Sequence, residues 1–131
     1  MSIVVDASVL VAALTDAGET GAWAVDVLSE SQPIAPVLVL VESMNILRRL
    51  ERARSLDPGD ATAAQRDLMQ LDVELLPFEP FAARVWALRR NLSSYDAWYV
   101  AVAETFDTPL ATLDRRLARS TGPACTFRLP G

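Results

Sequence analysis

Four carboxylates stand at places in this chain where an acid could do chemistry. Glu42 lies inside an otherwise apolar stretch, residues 38–47, where a buried charge is costly unless it is paired or binds a metal. Asn45, three residues on, shares its face if the segment is helical. Asp6 closes the apolar run Ser2-Ile3-Val4-Val5, and Asp114 lies just beyond a second run, Leu110-Ala111-Thr112. Asp96 follows Ser93 and Ser94 in what reads as the first turn of a helix, where the dipole favours an anion. Taken singly, each acid has a plainer explanation. Asp6 and Asp114 could cap the helices that follow them, Asp96 could be an ordinary helix-start carboxylate, and Glu42 could belong to an exposed polar stripe. Leu38-Val39-Leu40-Val41 leaves little polar surface before Glu42, which weakens the last of these.

What is missing narrows the chemistry further. The 131 residues include no histidine, and all twelve basic side chains are arginine. Ser-His-Asp and Cys-His machinery and His-ligated zinc are therefore excluded. So are a Walker A loop and Schiff-base catalysis, both of which need lysine. A receiver or phosphoryl-transfer domain, which generally needs a lysine beside its acidic cluster, is disfavoured on the same ground. Any catalysis must be built from carboxylates, hydroxyls and arginines, with or without a hard metal ion. The net charge of −5 argues against indiscriminate nucleic-acid binding, which depends on neutralising phosphates, but leaves room for a local basic face. Arginines cluster at 48, 49, 52 and 54, at 84, 89 and 90, and at 115, 116 and 119. A solvated helix face explains each cluster taken alone.

The elements that must position these residues follow from periodicity and punctuation. Strands are expected at 2–6, 32–36, 73–76, 110–112 and 125–127, with helices at 7–14, 20–29, 37–53, 58–71, 80–91, 94–106 and 114–119. The alternation implies one α/β domain over residues 1–131, built on a mainly parallel sheet of about five short strands flanked by helices. Ligands of such open sheets bind at the carboxyl ends of the strands, near a topological switch point. If the strands ending at Asp6 and before Asp114 are neighbours, their carboxylates sit side by side, and a shared site requires Glu42 and Asp96 to converge on them. The single cysteine, Cys125, excludes an internal disulfide. Residues 1–14 lack the basic start of a secretory signal, and no apolar run approaches ~18 residues, so a soluble cytoplasmic protein without a membrane segment is expected.

The same residues resemble the motifs of a known family. Val4-Val5-Asp6-Ala7-Ser8 looks like the opening of a PIN domain, and Glu42-Ser43-Met44-Asn45-Ile46-Leu47-Arg48 is similar to its central acidic helix. Ser94-Tyr95-Asp96-Ala97-Trp98-Tyr99-Val100-Ala101 resembles the third motif, and Leu110-Ala111-Thr112-Leu113-Asp114-Arg115-Arg116-Leu117 the fourth. The motifs stand in the family's order and nearly span the chain. The wording of the third is most similar to the VapC branch, toxins paired with a VapB antitoxin.

The resemblance implies a PIN-like three-layer sandwich and an endoribonuclease using Mg²⁺ or Mn²⁺ held by Asp6, Glu42, Asp96 and Asp114. It implies further a VapB-like antitoxin whose C-terminal segment lies over the acids, and a homodimer for which helices 37–53 and 58–71 are candidates. Hard divalent cations prefer carboxylate oxygens and water, and Mg²⁺ needs few protein ligands. Activating water for attack on a phosphodiester is then the ion's task, so the lack of histidine is no obstacle. Ser8 and Thr112 are candidates to hold a carboxylate or water from behind, with ordinary capping as the alternative, and Asn45 to orient Glu42 or a water. Some family members carry a further carboxylate after the fourth acid. Here Arg115, Arg116 and Leu117 follow instead, which leaves a second metal ion short of a ligand and makes the two arginines candidates for RNA phosphate or for solvent alone. The alternative function is a catalytically inactive PIN-like scaffold that binds RNA or protein partners.

Overall fold

Ile3, Val4 and Val5 are all buried, a strand with no polar face, and such a strand belongs in the middle of a parallel sheet covered on both sides. The computed structural model, which describes all 131 residues, places it there. Strand β1 (Ser2–Val5) pairs in parallel with β2 (Gln32–Pro36) on one side and β4 (Leu110–Ala111) on the other. Beyond them lie β3 (Glu74–Leu76) and β5 (Phe127–Arg128), giving the order β3-β2-β1-β4-β5 with every pairing parallel. The chain builds outward from β1 toward β3, then crosses back to begin again at β4. The boundary between β1 and β4 is therefore the switch point of the sheet.

Right-handed crossovers put the helices made before and after that reversal on opposite faces. Helix α1 (Ala7–Thr15) packs on α2 (Glu19–Glu30), α3 (Val39–Arg52) and α4 (Pro58–Leu68). On the other face α6 (Ser94–Thr105) lies across β1, β2 and β4, with α5 (Ala82–Ala87) against it. A short α7 (Arg115–Ala118) follows β4. Helix α6 is buried continuously from Ala97 to Ala103, so it is a core element, apolar nearly all round. A smaller apolar contact, Val11 with Leu47 and Ala64, joins α1, α3 and α4. No helix is long and apolar enough to cross a membrane.

Local chemistry sets the ends of these elements. Asp6, Asp57, Ser93 and Asp114 each cap a helix through a side-chain oxygen, satisfying amide donors that have no partner inside the helix. Helices α3 and α6 are followed by Arg54 (φ 61°) and Asp107 (φ 51°), both left-handed, a common way to stop a helix. At Gly21 a Cβ would fall 1.8 Å from the Asp16 carbonyl oxygen, so α2 can start this close to the end of α1 only with glycine there.

Several boundaries differ from the sequence expectation. Helix α3 starts at Val39 rather than 37, because Pro36 completes the pairing of β2 with Leu76 and the Val37 amide donates to the Leu76 carbonyl at 2.9 Å. Helix α4 stops at Leu68, three residues early. The helix expected over 80–91 is a 3₁₀ turn, Glu79–Phe81, followed by α5, and it gives way after Ala87 to tight turns. Strand β5 begins two residues later than expected, at Phe127.

Candidate active site

Asp6 sits between β1 and α1, and its two carboxylate oxygens have different duties. Oδ1 accepts from the amides of Ser8 (3.0 Å) and Val9 (3.3 Å) and from the Ser8 hydroxyl. Oδ2 accepts from the Thr112 hydroxyl. The two hydroxyls then reach back, Ser8 Oγ accepting from the Leu113 amide (3.1 Å) and Thr112 Oγ1 from the Asp114 amide (3.0 Å). One compact set of bonds thus ties the carboxyl end of β1 to that of β4 and carries Asp114 to the same place. Burial pushes the Asp6 carboxyl up to about 6, although the hydrogen bonds from Ser8 and Thr112 pull the other way. Capping and an anionic role coexist here, since the cap uses mainly one oxygen.

Glu42 enters from α3, half-buried, and accepts a hydrogen bond from the Tyr99 hydroxyl of α6. Burial, then this bond, then the charges of Glu42, Asp6 and Asp96 hold the Tyr99 hydroxyl protonated far above its usual range. Tyr99 is therefore a fixed neutral donor among acids. Asp96 follows on the same helix three residues earlier, in the first turn of α6, where Ser93 caps the helix through the Asp96 amide (3.2 Å). Its carboxyl is raised by burial and then by Asp114, with Arg116 opposing. Asp114 caps α7, its Oδ1 accepting from the Arg116 amide (3.0 Å) and the Leu117 amide (3.1 Å).

All four acids line one cavity of about 270 Å³ at the carboxyl ends of β1 and β4, together with Ser8, Asn45, Arg49 and Tyr99. Glu42, Asn45 and Arg49 share it because spacings of three and four place them on one face of α3. Within this shared cavity no three acidic or thiol groups come together as a ready coordination shell. Asn45 is exposed at the rim, and the partner of Glu42 is Tyr99. Arg115 donates to the Pro130 carbonyl at 3.1 Å, whereas Arg116 lies close enough to Asp96 to lower its pKa.

Two lining residues escaped the sequence reading. Arg49 stood in an arginine cluster with nothing to separate it from Arg48 or Arg52, although its seven-residue spacing from Glu42 was a usable signal. Tyr99 looked like one more core aromatic of α6, and its partner is 57 positions away.

The donor set is all oxygen: carboxylates and neighbouring hydroxyls, with no histidine or thiolate. Its four acids outnumber the one guanidinium, that of Arg49, lining the cavity with them, and the Asp114 charge adds to burial in raising the Asp96 carboxyl. A hard divalent cation that keeps several waters fits both features.

Comparison with known proteins bears on the family and the fold. The PIN domain family model matches residues 3–122. Ribonuclease VapC1 of Mycobacterium tuberculosis is 37% identical over 127 residues, 96% of each chain. The crystal structure of PAE2754 from Pyrobaculum aerophilum shares the fold with a TM-score of 0.67 at 26% identity, covering 90% of this chain and 78% of that one. The structure of VapBC2 from Rickettsia felis, bound to a DNA fragment from their promoter, matches at a TM-score of 0.67 and 12% identity over 98% of both chains, a likeness of fold alone. With four acids in one cavity at the switch point of a parallel sheet, and the family model spanning nearly the whole chain, this protein belongs to the PIN-domain family.

Proposed function

We propose that this chain is a single-domain, divalent-metal-dependent endoribonuclease and the toxin of a VapBC-type pair, acting on cytoplasmic RNA. The observation that carries the reading is the meeting of Asp6, Glu42, Asp96 and Asp114, from four separate parts of the chain, in one cavity at the switch point. The ribonuclease names of similar proteins support it.

Asp6, Glu42, Asp96 and Asp114 would hold Mg²⁺ or Mn²⁺, with water filling the remaining positions. When bound, the ion supplies Lewis acidity to the phosphodiester and makes a nearby water easier to deprotonate. The protein's own part is to keep its ligands aimed. Ser8 and Thr112 fix both oxygens of Asp6, and Tyr99 fixes Glu42. Such outer hydrogen bonds orient ligands and tune their basicity. Arg49 at the cavity and Arg116 beside Asp96 would meet substrate phosphate, whereas Arg115 is engaged with the Pro130 carbonyl. Arg116→Glu should weaken RNA binding and flatten its salt dependence by about one unit of slope, while Arg115→Glu leaves the slope nearer wild type.

The antitoxin reading rests on the sequence resemblance to the VapC branch. The homodimer reading has a surface: Val41 (67% exposed) and Met44 of α3, with Met69 just past α4, form an exposed apolar patch that also includes Leu40. A second copy seated there would remove it from water, and Met44→Arg should then sediment as a monomer.

The experiment that tests the activity is hydrolysis of a labelled RNA oligonucleotide with Mn²⁺, with EDTA, and with Asp6→Asn. Cleavage that needs the metal and Asp6 supports the enzyme. Absence of cleavage by wild type would favour a binding scaffold, and cleavage that persists in EDTA would contradict the metal.

A further inference from the structure

Neither the packing of the core nor the carboxylate chemistry accounts for the corner between α5 and α6. Trp86 is 67% exposed there, whereas Trp98 is 8% exposed and Trp23 is half-buried. The Arg89 guanidinium lies over the Trp86 ring, 4.4 Å from its centroid, and its Nη1 donates to the Trp86 carbonyl at 2.9 Å. The cation is thus held against the indole instead of trailing in solvent. Arg84, the third arginine of this cluster, is engaged elsewhere, paired with Glu104 at 2.6 Å. Arg89 and Arg90 have no carboxylate partner, since the only other ion pair joins Arg128 to Glu30. Residues 80–95 contain three arginines and no acid, in a chain of net charge −5.

The corner also runs on in sequence into the helix that carries Asp96. The amides of Asn91 and Leu92 both return to the Leu88 carbonyl at 3.0 Å, folding the connection tightly before Ser93 caps α6 at the Asp96 amide. Tyr95, 60% exposed, is the residue before Asp96. Arg90 is six residues from Asp96, at most ~20 Å along an extended chain and less through these turns.

We infer that this corner is a platform for unpaired bases of the RNA flanking the bond to be cut, with the Trp86–Arg89 stack carrying the base and Arg90 meeting phosphate. The inference rests on the ribonuclease reading and adds to it where the strand runs. Aromatic faces and guanidinium planes stack on any base, which gives sequence-tolerant grip on single strands. Exposed Trp and Arg also serve protein interfaces, but two cations without a carboxylate partner, in the segment that runs on to Asp96, complement a polyanion.

The test measures binding by the full-length Asp6→Asn chain, in which cleavage is blocked, to a fluorescein-labelled single-stranded RNA of about twelve nucleotides. Adding Trp86→Ala should weaken binding roughly tenfold, the lower part of the range for one stacked base, and Trp86→Phe should retain most of it. RNA should quench tryptophan emission in the parent and much less in Trp86→Phe. Equal affinity for parent and Trp86→Ala, with matching circular dichroism, would overturn the platform and leave the corner to a protein partner. Cleavage by the wild-type background is scored separately. Cleavage with an unchanged KM in Trp86→Ala removes the platform and spares the ribonuclease, whereas Trp86-dependent binding without any wild-type cleavage removes the ribonuclease and spares the platform.

Discussion

The two edges of the sheet each carry a cavity, and the larger one is the less chemical. At the amino ends of the strands, Met1, residues 28–33 and residues 71–73 surround about 520 Å³, nearly twice the volume beside the four acids. Yet several polar groups at that edge are engaged with one another. The Gln32 amide donates to the Met1 carbonyl at 2.8 Å, its side chain donates to the carbonyls of Pro33 and Asp72, and Glu30 pairs with Arg128. The bonds of Gln32 tie the starts of β1, β2 and β3 together. At the carboxyl edge the hydroxyls and Tyr99 hold carboxylates in place without neutralising them. The difference lies in uncompensated charge rather than in volume, and in parallel sheets that charge collects where loops leave the strands at the switch point.

The widest separation between the edges should come from amide substitutions. Asp6→Asn is expected to lower cleavage by at least about 10²–10³-fold, on the scale of losing one preorganised electrostatic group. Glu30→Gln should leave cleavage unchanged and cost about 0–1 kcal/mol of stability, as for an exposed ion pair. A cleavage assay beside urea unfolding reads both, and a large loss in Glu30→Gln would break the contrast.

Next in size is the response to pH. The Asp6 carboxyl is raised from 3.8 to about 6 in the folded chain, so the native state binds its proton more tightly than the unfolded state does. Its contribution to stability is complete below about pH 4 and is lost as pH rises through about 6, on the order of 2–3 kcal/mol without metal. Asp96 is shifted the same way, while Glu104, lowered by Arg84, works against the trend. The difference between wild type and Asp6→Asn isolates the Asp6 part: the variant should gain relative stability from pH 4 to pH 7. Mn²⁺ at a hundred times its dissociation constant would add about 2.7 kcal/mol to the wild type. Parallel urea midpoints for both chains across that range would remove Asp6 as the source.

Smaller effects should follow from the residues behind the acids. Tyr99→Phe and Thr112→Val are each expected to lower metal affinity or activity by about 10–100-fold. Asn45→Ala, which removes no hydrogen bond to Glu42, should do less. Mn²⁺ titrations of activity would rank the three, and a Tyr99→Phe enzyme equal to wild type would assign Tyr99 to packing.

The four acids were legible in the sequence because each interrupts a pattern: Asp6 and Asp114 end apolar strands, Asp96 starts a helix, and Glu42 breaks an apolar stretch. The order of strands and helices was legible for the same reason, as periodicity changes at nearly every proline or cap. Tyr99 was not, since a tyrosine among Ala97, Trp98 and Val100 has core composition, and only the folded chain brings it to Glu42 of a helix from the other layer. The start of α3 was missed because Pro36 suits the first turn of a helix as well as the end of a strand, and tertiary pairing with Leu76 decides between them. The short β5 carries too few residues for any period to show.

The central claim is that the four acids act as one metal site, and the most direct measurement is the Mn²⁺-induced rise in melting temperature. It should be taken for wild type, Asp6→Asn, Glu42→Gln, Asp96→Asn and Asp114→Asn at one pH. The account predicts a clear rise for wild type and a reduced or absent rise for all four variants, with Asp6→Asn at least as stable as wild type before metal is added. A wild-type chain whose melting ignores Mn²⁺, or any of the four variants keeping the full rise, would contradict it.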